Sequence, residues 1–120
     1  MRIVEVRTYV APPPAGSWLN EIRVSTPMSI YPEYQSSRSS WRGPNTQDVF
    51  IQVVTDEGLT GLGITRGGCI VQTIIDQHLR ALLLGKDARN VELLWEQMYR
   101  ATLAYGRKGA PIMAVSKVKI

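Results

Sequence analysis

The chain has 120 residues, of which 44% are apolar and 20% charged, which suits one ordinary globular domain and leaves little room for two. Its net charge of +4 comes from 14 scattered lysines and arginines without a basic block or arm, so nucleic-acid binding is not expected. The single cysteine, Cys69, excludes an internal disulfide, and the longest purely apolar run, Ala81 to Leu84, is far too short to span a membrane. A cytoplasmic location is the default expectation.

Residues 2–10 read as a strand, with Ile3, Val4, Val6, Tyr9 and Val10 partly alternating with Glu5 and Arg7. The prolines from Pro12 to Pro14 end it. Residues 18–46 hold no period of either kind. An irregular stretch of that length is usually a lid, a binding loop or disordered, and its aromatics argue against disorder. Asp48 to Thr55 is a second strand. Asp56-Glu57-Gly58 is a turn signal, and residues 59–65 complete an antiparallel hairpin. Gly61 and Gly63 fall on one face of that last strand, where they suit a bulge or a close approach of two backbones.

Three helices follow. Val71, Ile74, Ile75, His78, Leu79, Leu82 and Leu83 recur at helical spacing and predict a helix over 69–84, with Gly85 as its C-terminal cap. Asp87 or Asn90 caps a second helix, whose apolar face is Val91, Leu94, Trp95, Met98 and Thr102 or Tyr105, and which ends near Tyr105-Gly106. A third begins around Ala110-Pro111. Strands followed by helices define an α+β fold, a three-stranded antiparallel meander followed by a helical bundle.

Residues that could carry chemistry are few. His78 lies on the apolar side of its helix with no carboxylate placed to orient it, so it reads as a core or interface histidine before a general base. Glu92 and Glu96 are four apart on a polar helix face, a solvated pair and not a Mg²⁺ site. The glycines from Gly58 to Gly68 sit in a hairpin without the lysine and hydroxyl of a phosphate loop. The long loop is richer. Tyr31, Tyr34 and Trp41 supply aromatic walls, and Arg38 and Arg42 supply guanidinium forks that suit a carboxylate. A lid over a small anion and a surface loop pinned by its aromatics explain this composition equally well.

The segments IVEVRTYV, VFIQVVTDEGLTGLGIT, LLLGKDARNVELLWEQMYRATL and PIMAVSKV together resemble the N-terminal domain of the enolase superfamily, in its mandelate racemase and muconate-lactonizing branch. The loop segment STPMSIYPEYQSSRSSW resembles that of L-rhamnonate dehydratases. The resemblance implies a capping domain over 1–120 that elsewhere precedes a (β/α)₇β barrel. In the complete family enzyme that barrel binds Mg²⁺ through three carboxylates and abstracts a proton α to the substrate carboxylate. The cap adds specificity contacts. Arg38 matches the family's loop arginine, and Trp18, Tyr31 and Trp41 stand beside it as substrate-binding candidates. Two positions depart from the family: Ser17 stands before Trp18 where a histidine is usual, and Lys119 stands where aspartate is usual.

The sequence reaches Ile120 within the last helix, so no barrel strand, metal ligand or catalytic base is expected in this chain. The resulting expectation is a cap fragment of a sugar-acid dehydratase, inactive alone, with no metal of its own and a sugar acid as ligand only when a barrel is present. The alternatives are an interaction module that forms a homo-oligomer through exposed cap helices, and a free-standing ligand-binding domain.

Overall fold

The protein was analysed as a computed structural model that describes residues 1–12, 25–35 and 46–118. Strands β1 (Ile3–Val10), β2 (Asp48–Thr55) and β3 (Thr60–Arg66) form an antiparallel sheet in that spatial order. Along β2 burial alternates at every second residue. Val49, Ile51 and Val53 face the core, while Phe50, Gln52 and Val54 face away, as the two-residue period of a strand requires. In β1 the two buried residues are three apart, Ile3 and Val6. The register explains this: Ile3 lies opposite Thr55 but Glu5 lies opposite Val54, so Val4 is an extra residue. A bulge of this kind resets the alternation, which is why the sequence of β1 alternates only in part. The hairpin closes where Thr55 N–H donates to the Leu59 carbonyl at 2.9 Å.

The first helix, α1, runs over 68–83 and is regular only at its ends. Gly68–Ile74 and Arg80–Leu83 are α-helical, and Ile75–Leu79 between them forms a wider π turn in which Arg80 N–H bonds the Ile75 carbonyl. Its buried apolar side chains are Val71, Ile75, Leu79 and Leu83, each four apart. A strict four-residue spacing drifts around a helix of 3.6 residues per turn, and one wide turn cancels the drift and keeps all four on the sheet. After Leu83, Gly85 takes φ +78°, a left-handed conformation that stops the helix and turns the chain back onto β1. There Gly85 N–H donates to the Ile3 carbonyl at 2.8 Å, and Ile3 N–H to the Lys86 carbonyl at 2.9 Å.

Helix α2 (Val91–Thr102) buries Leu94, Met98 and Thr102, and helix α3 (Ala110–Lys117) buries Pro111, Ala114 and Val115. Thr102, not Tyr105, completes the buried face of α2, and its hydroxyl is satisfied by the Tyr99 carbonyl at 3.0 Å. One core joins the inner face of the sheet to all three helices. At Gly63 the sheet and α3 meet backbone to backbone. A β-carbon there would lie 2.2 Å from the Lys117 carbonyl oxygen, so only glycine fits.

Candidate functional site

Residues 25–35 are the described part of the long loop, and local chemistry orders them. The Thr26 side chain accepts the Met28 N–H at 3.3 Å, and the Ser29 hydroxyl accepts the Thr26 N–H at 2.8 Å, a reciprocal cap on the short 3₁₀ turn Pro27–Ile30. A second turn, Pro32–Tyr34, begins at once, again with proline in its first position. Tyr31 is the junction. Its N–H bonds the Met28 carbonyl and its carbonyl accepts the Tyr34 N–H, both at 3.0 Å. The backbone of Tyr31 is therefore fixed from both sides while its side chain stays half exposed beside the more exposed Ile30. Of the four substrate-binding candidates, Tyr31 is the one described. Trp18, Arg38 and Trp41 lie outside the described residues.

The remaining polar groups are tied to the framework. His78 Nδ1 is 2.8 Å from the Tyr105 hydroxyl, which links α1 to the turn after α2, and burial pushes the Tyr105 phenol above its ordinary value. His78 is half-buried at this contact. One cluster was missed. The Thr8 hydroxyl reaches both Asp76 oxygens at 2.8 and 2.9 Å, Gln72 donates to Thr8 at 3.3 Å, and Arg80 Nη2 donates to Asp76 at 2.7 Å. The Asp76–Arg80 spacing of four was the only available signal, and Thr8 joins through the fold alone. The cluster floors an open groove of about 490 Å³ between residues 4–8 of β1 and Asp76, Arg80 and Leu84. Arg80 Nε is buried there without a hydrogen-bond partner.

The described carboxylates form no cluster that fits a divalent metal. Asp48, Asp76, Asp87 and Glu96 are each matched to an arginine, on Arg66, Arg80, Arg89 and Arg100, and Glu5 to Arg7. No group of three or more histidine, cysteine or acidic residues converges among the described residues. Likewise, among the described residues no helix is long and apolar enough to cross a membrane.

A meander covered on one face by helices, with residues 11–47 between its first two strands, is the architecture of an enzyme capping domain. The profile of the mandelate racemase / muconate lactonizing enzyme N-terminal domain matches residues 23–119, and the chain belongs to that family. It is 37% identical to a protein of Caldivirga maquilingensis provisionally named L-rhamnonate dehydratase, over 99% of this chain and 32% of that one. It is also similar to the crystal structure of L-rhamnonate dehydratase from Gibberella zeae, with a TM-score of 0.85, 35% identity, and coverage of 98% of this chain and 29% of that one. A racemase from Streptomyces coelicolor A3(2) with bound magnesium follows with a TM-score of 0.71 and 28% identity, covering 98% of this chain and 29% of that one. The chain thus spans about a third of the length of these relatives and covers their N-terminal portion.

Proposed function

We propose that this chain is the cap of a Mg²⁺-dependent sugar-acid dehydratase of the L-rhamnonate dehydratase kind, and that it supplies substrate contacts but no turnover of its own. The observation that carries this reading is the likeness to L-rhamnonate dehydratase over 98% of the chain at a TM-score of 0.85. The loop of residues 18–46, with Arg38, Trp18, Tyr31 and Trp41, would close over the acid. Arg38 suits its carboxylate, and Tyr31, whose backbone is held by two bonds, offers an aromatic side chain from a fixed point of the loop. Most of the rate in such a reaction comes from a metal and bases aimed at the developing enediolate. Five of the described carboxylates, Glu5, Asp48, Asp76, Asp87 and Glu96, are paired with arginines, and no metal-binding group converges among the described residues, so this reading assigns the metal and its chemistry to a barrel.

The test is an assay of 2-keto acid formation from L-rhamnonate by the pure chain with Mg²⁺. No product above the blank is expected, and metal-dependent turnover would overturn the reading. Adding a barrel-bearing polypeptide should then give activity that falls when Arg38 is replaced by methionine. A second reading, an interaction module, is favoured by the exposed apolar row of Tyr9, Leu62 and Ile64 on the outer face of the sheet. The two readings are compatible if the partner is the barrel itself.

A further inference from the structure

The meander leaves β1 at an edge of the sheet, and among the described residues only its first positions are covered. Segment 85–88 takes up Met1 and Ile3: Ala88 N–H bonds the Met1 carbonyl at 3.0 Å, and Ile3 is bonded by Gly85 and Lys86. Beyond Ile3, the bulge at Val4 changes which residues turn toward β2. Ala11 N–H reaches the Asp48 carbonyl at 2.8 Å, in line with the pairs Glu5–Val54, Arg7–Gln52 and Tyr9–Phe50. Antiparallel alternation therefore turns the main-chain groups of Val6, Thr8 and Val10 away from the sheet. No main-chain bond among the described residues takes them up, and the 490 Å³ groove runs beside this stretch. A bare row of this kind is a template for another strand.

We propose that two copies of this chain pair through this edge, β1 against β1 and antiparallel, about a two-fold axis at Val6, so that two three-stranded sheets become one of six. The register follows from charge. Glu5 and Arg7 stand two apart on the outward face, joined by a bidentate pair and both open to solvent. The outward main-chain groups belong to even-numbered residues, so only even registers satisfy them. An axis at Val6 sets Glu5 opposite the partner's Arg7, and Arg7 opposite the partner's Glu5. An axis at Arg7 sets that arginine against itself, and one at Thr8 sets Arg7 against the partner's Tyr9 and leaves Glu5 without a cation. Opposite charges directly across a strand pair stabilise it, and like charges destabilise it.

Segment 85–88 blocks the edge at Ile3, so the ladder is confined to about residues 4–8 and the dimer is one of modest affinity. The contact is the same on both copies and closes on itself at two. It uses a strand edge and not the helices, and it does not depend on the dehydratase reading.

The test uses the full chain with Cys69→Ser, to remove the native thiol. Sedimentation equilibrium should show a monomer–dimer equilibrium. Glu5→Cys and Arg7→Cys variants, oxidised as a mixture, should give a covalent dimer, because residues 5 and 7 would face each other at a non-hydrogen-bonded site where side chains are closest. Each variant alone should give little. Glu5→Arg should weaken the dimer about tenfold, since two favourable pairs become two unfavourable ones. The swap Glu5→Arg with Arg7→Glu should restore it. Circular dichroism melts show whether each variant remains folded. A chain that stays monomeric throughout overturns the proposal. So does crosslinking by Arg7→Cys alone, or a dimer whose mixed variants do not crosslink.

Discussion

The two faces of the sheet both carry apolar residues and end in opposite states. On the inner face Val49 and Ile51 are fully buried and Val6 is 3% exposed, while on the outer face Tyr9 and Leu62 remain 61% and 68% exposed. Strand composition does not mark the open face as polar, since β-branched residues occur on both faces and the leucine and aromatic residues, Leu62, Tyr9 and Phe50, lie on the outer one. What separates them is the layer across the way: the helices close over the inner face, and among the described residues nothing covers the outer one. Apolar alternation decides which face can be buried, and connectivity decides which face is. The inner face supplies the stability of the domain, and the outer face stays open among the described residues.

The sharpest way to break this comparison is to empty the covered side. Leu79 is fully buried at the middle of α1. Leu79→Ala should cost about 3 kcal/mol, from lost transfer energy and the cavity left behind. Urea unfolding reads this as a lower midpoint at constant slope, and a loss below about 1 kcal/mol would mean that the helical layer is loosely held. Next comes Gly63→Ala. The new methyl would collide with the Lys117 carbonyl, backbone against backbone, so neither side can rotate away. A loss of about 2 kcal/mol is expected. Gly61→Ala, on the same strand face, is the control and should cost less.

Much of the covered side was legible in the sequence. The meander, the three helices and the Gly85 cap follow from periodicity and glycine placement, whereas Gly61 and Gly63 suited a bulge and a close approach alike, and the structure shows the approach at Gly63. What could not be read depends on tertiary context. The Val4 bulge appears only as an imperfect alternation. The π turn at Ile75–Leu79 has no local signature, and it shows only once Val71, Ile75, Leu79 and Leu83 must all meet the sheet. The choice of Thr102 over Tyr105 was open because both suit the helical period. Of the candidate site, Tyr31 was readable as an aromatic in a proline-rich loop, whereas Thr8–Asp76 joins residues 68 apart and carries no motif.

A smaller effect concerns the strip where the sheet edge is partly covered. Asp87 bridges Arg2 and accepts the Arg89 side chain at 2.7 Å. The Arg89 guanidinium first, and the Arg89 N–H second, hold its carboxyl well below the usual carboxylate range. The native state thus binds this proton less readily than the unfolded chain. The associated stability is complete above the unfolded value near 3.9, and it is lost as pH falls through the native one. Asp87→Asn should therefore lower the melting temperature slightly at pH 7 and flatten the fall in stability below about pH 4. Because the pair is exposed, 0.5 M salt should shrink the difference at pH 7. An unchanged acid profile would mean that the Arg89 contact does not persist in solution.

The smallest effect is expected on the uncovered face, and it decides the comparison. Leu62 is the most exposed apolar residue of the sheet and lies opposite Gln52. Leu62→Thr keeps a residue suited to a strand and removes only side chain that water already reaches, so the change should fall within about 0.5 kcal/mol of zero. The measurement should be repeated over a range of protein concentrations, because a contact made through this face would appear as a loss that grows with concentration. A loss above about 1 kcal/mol that is independent of concentration would mean that this face is buried within the chain, and that the contrast between the two faces fails.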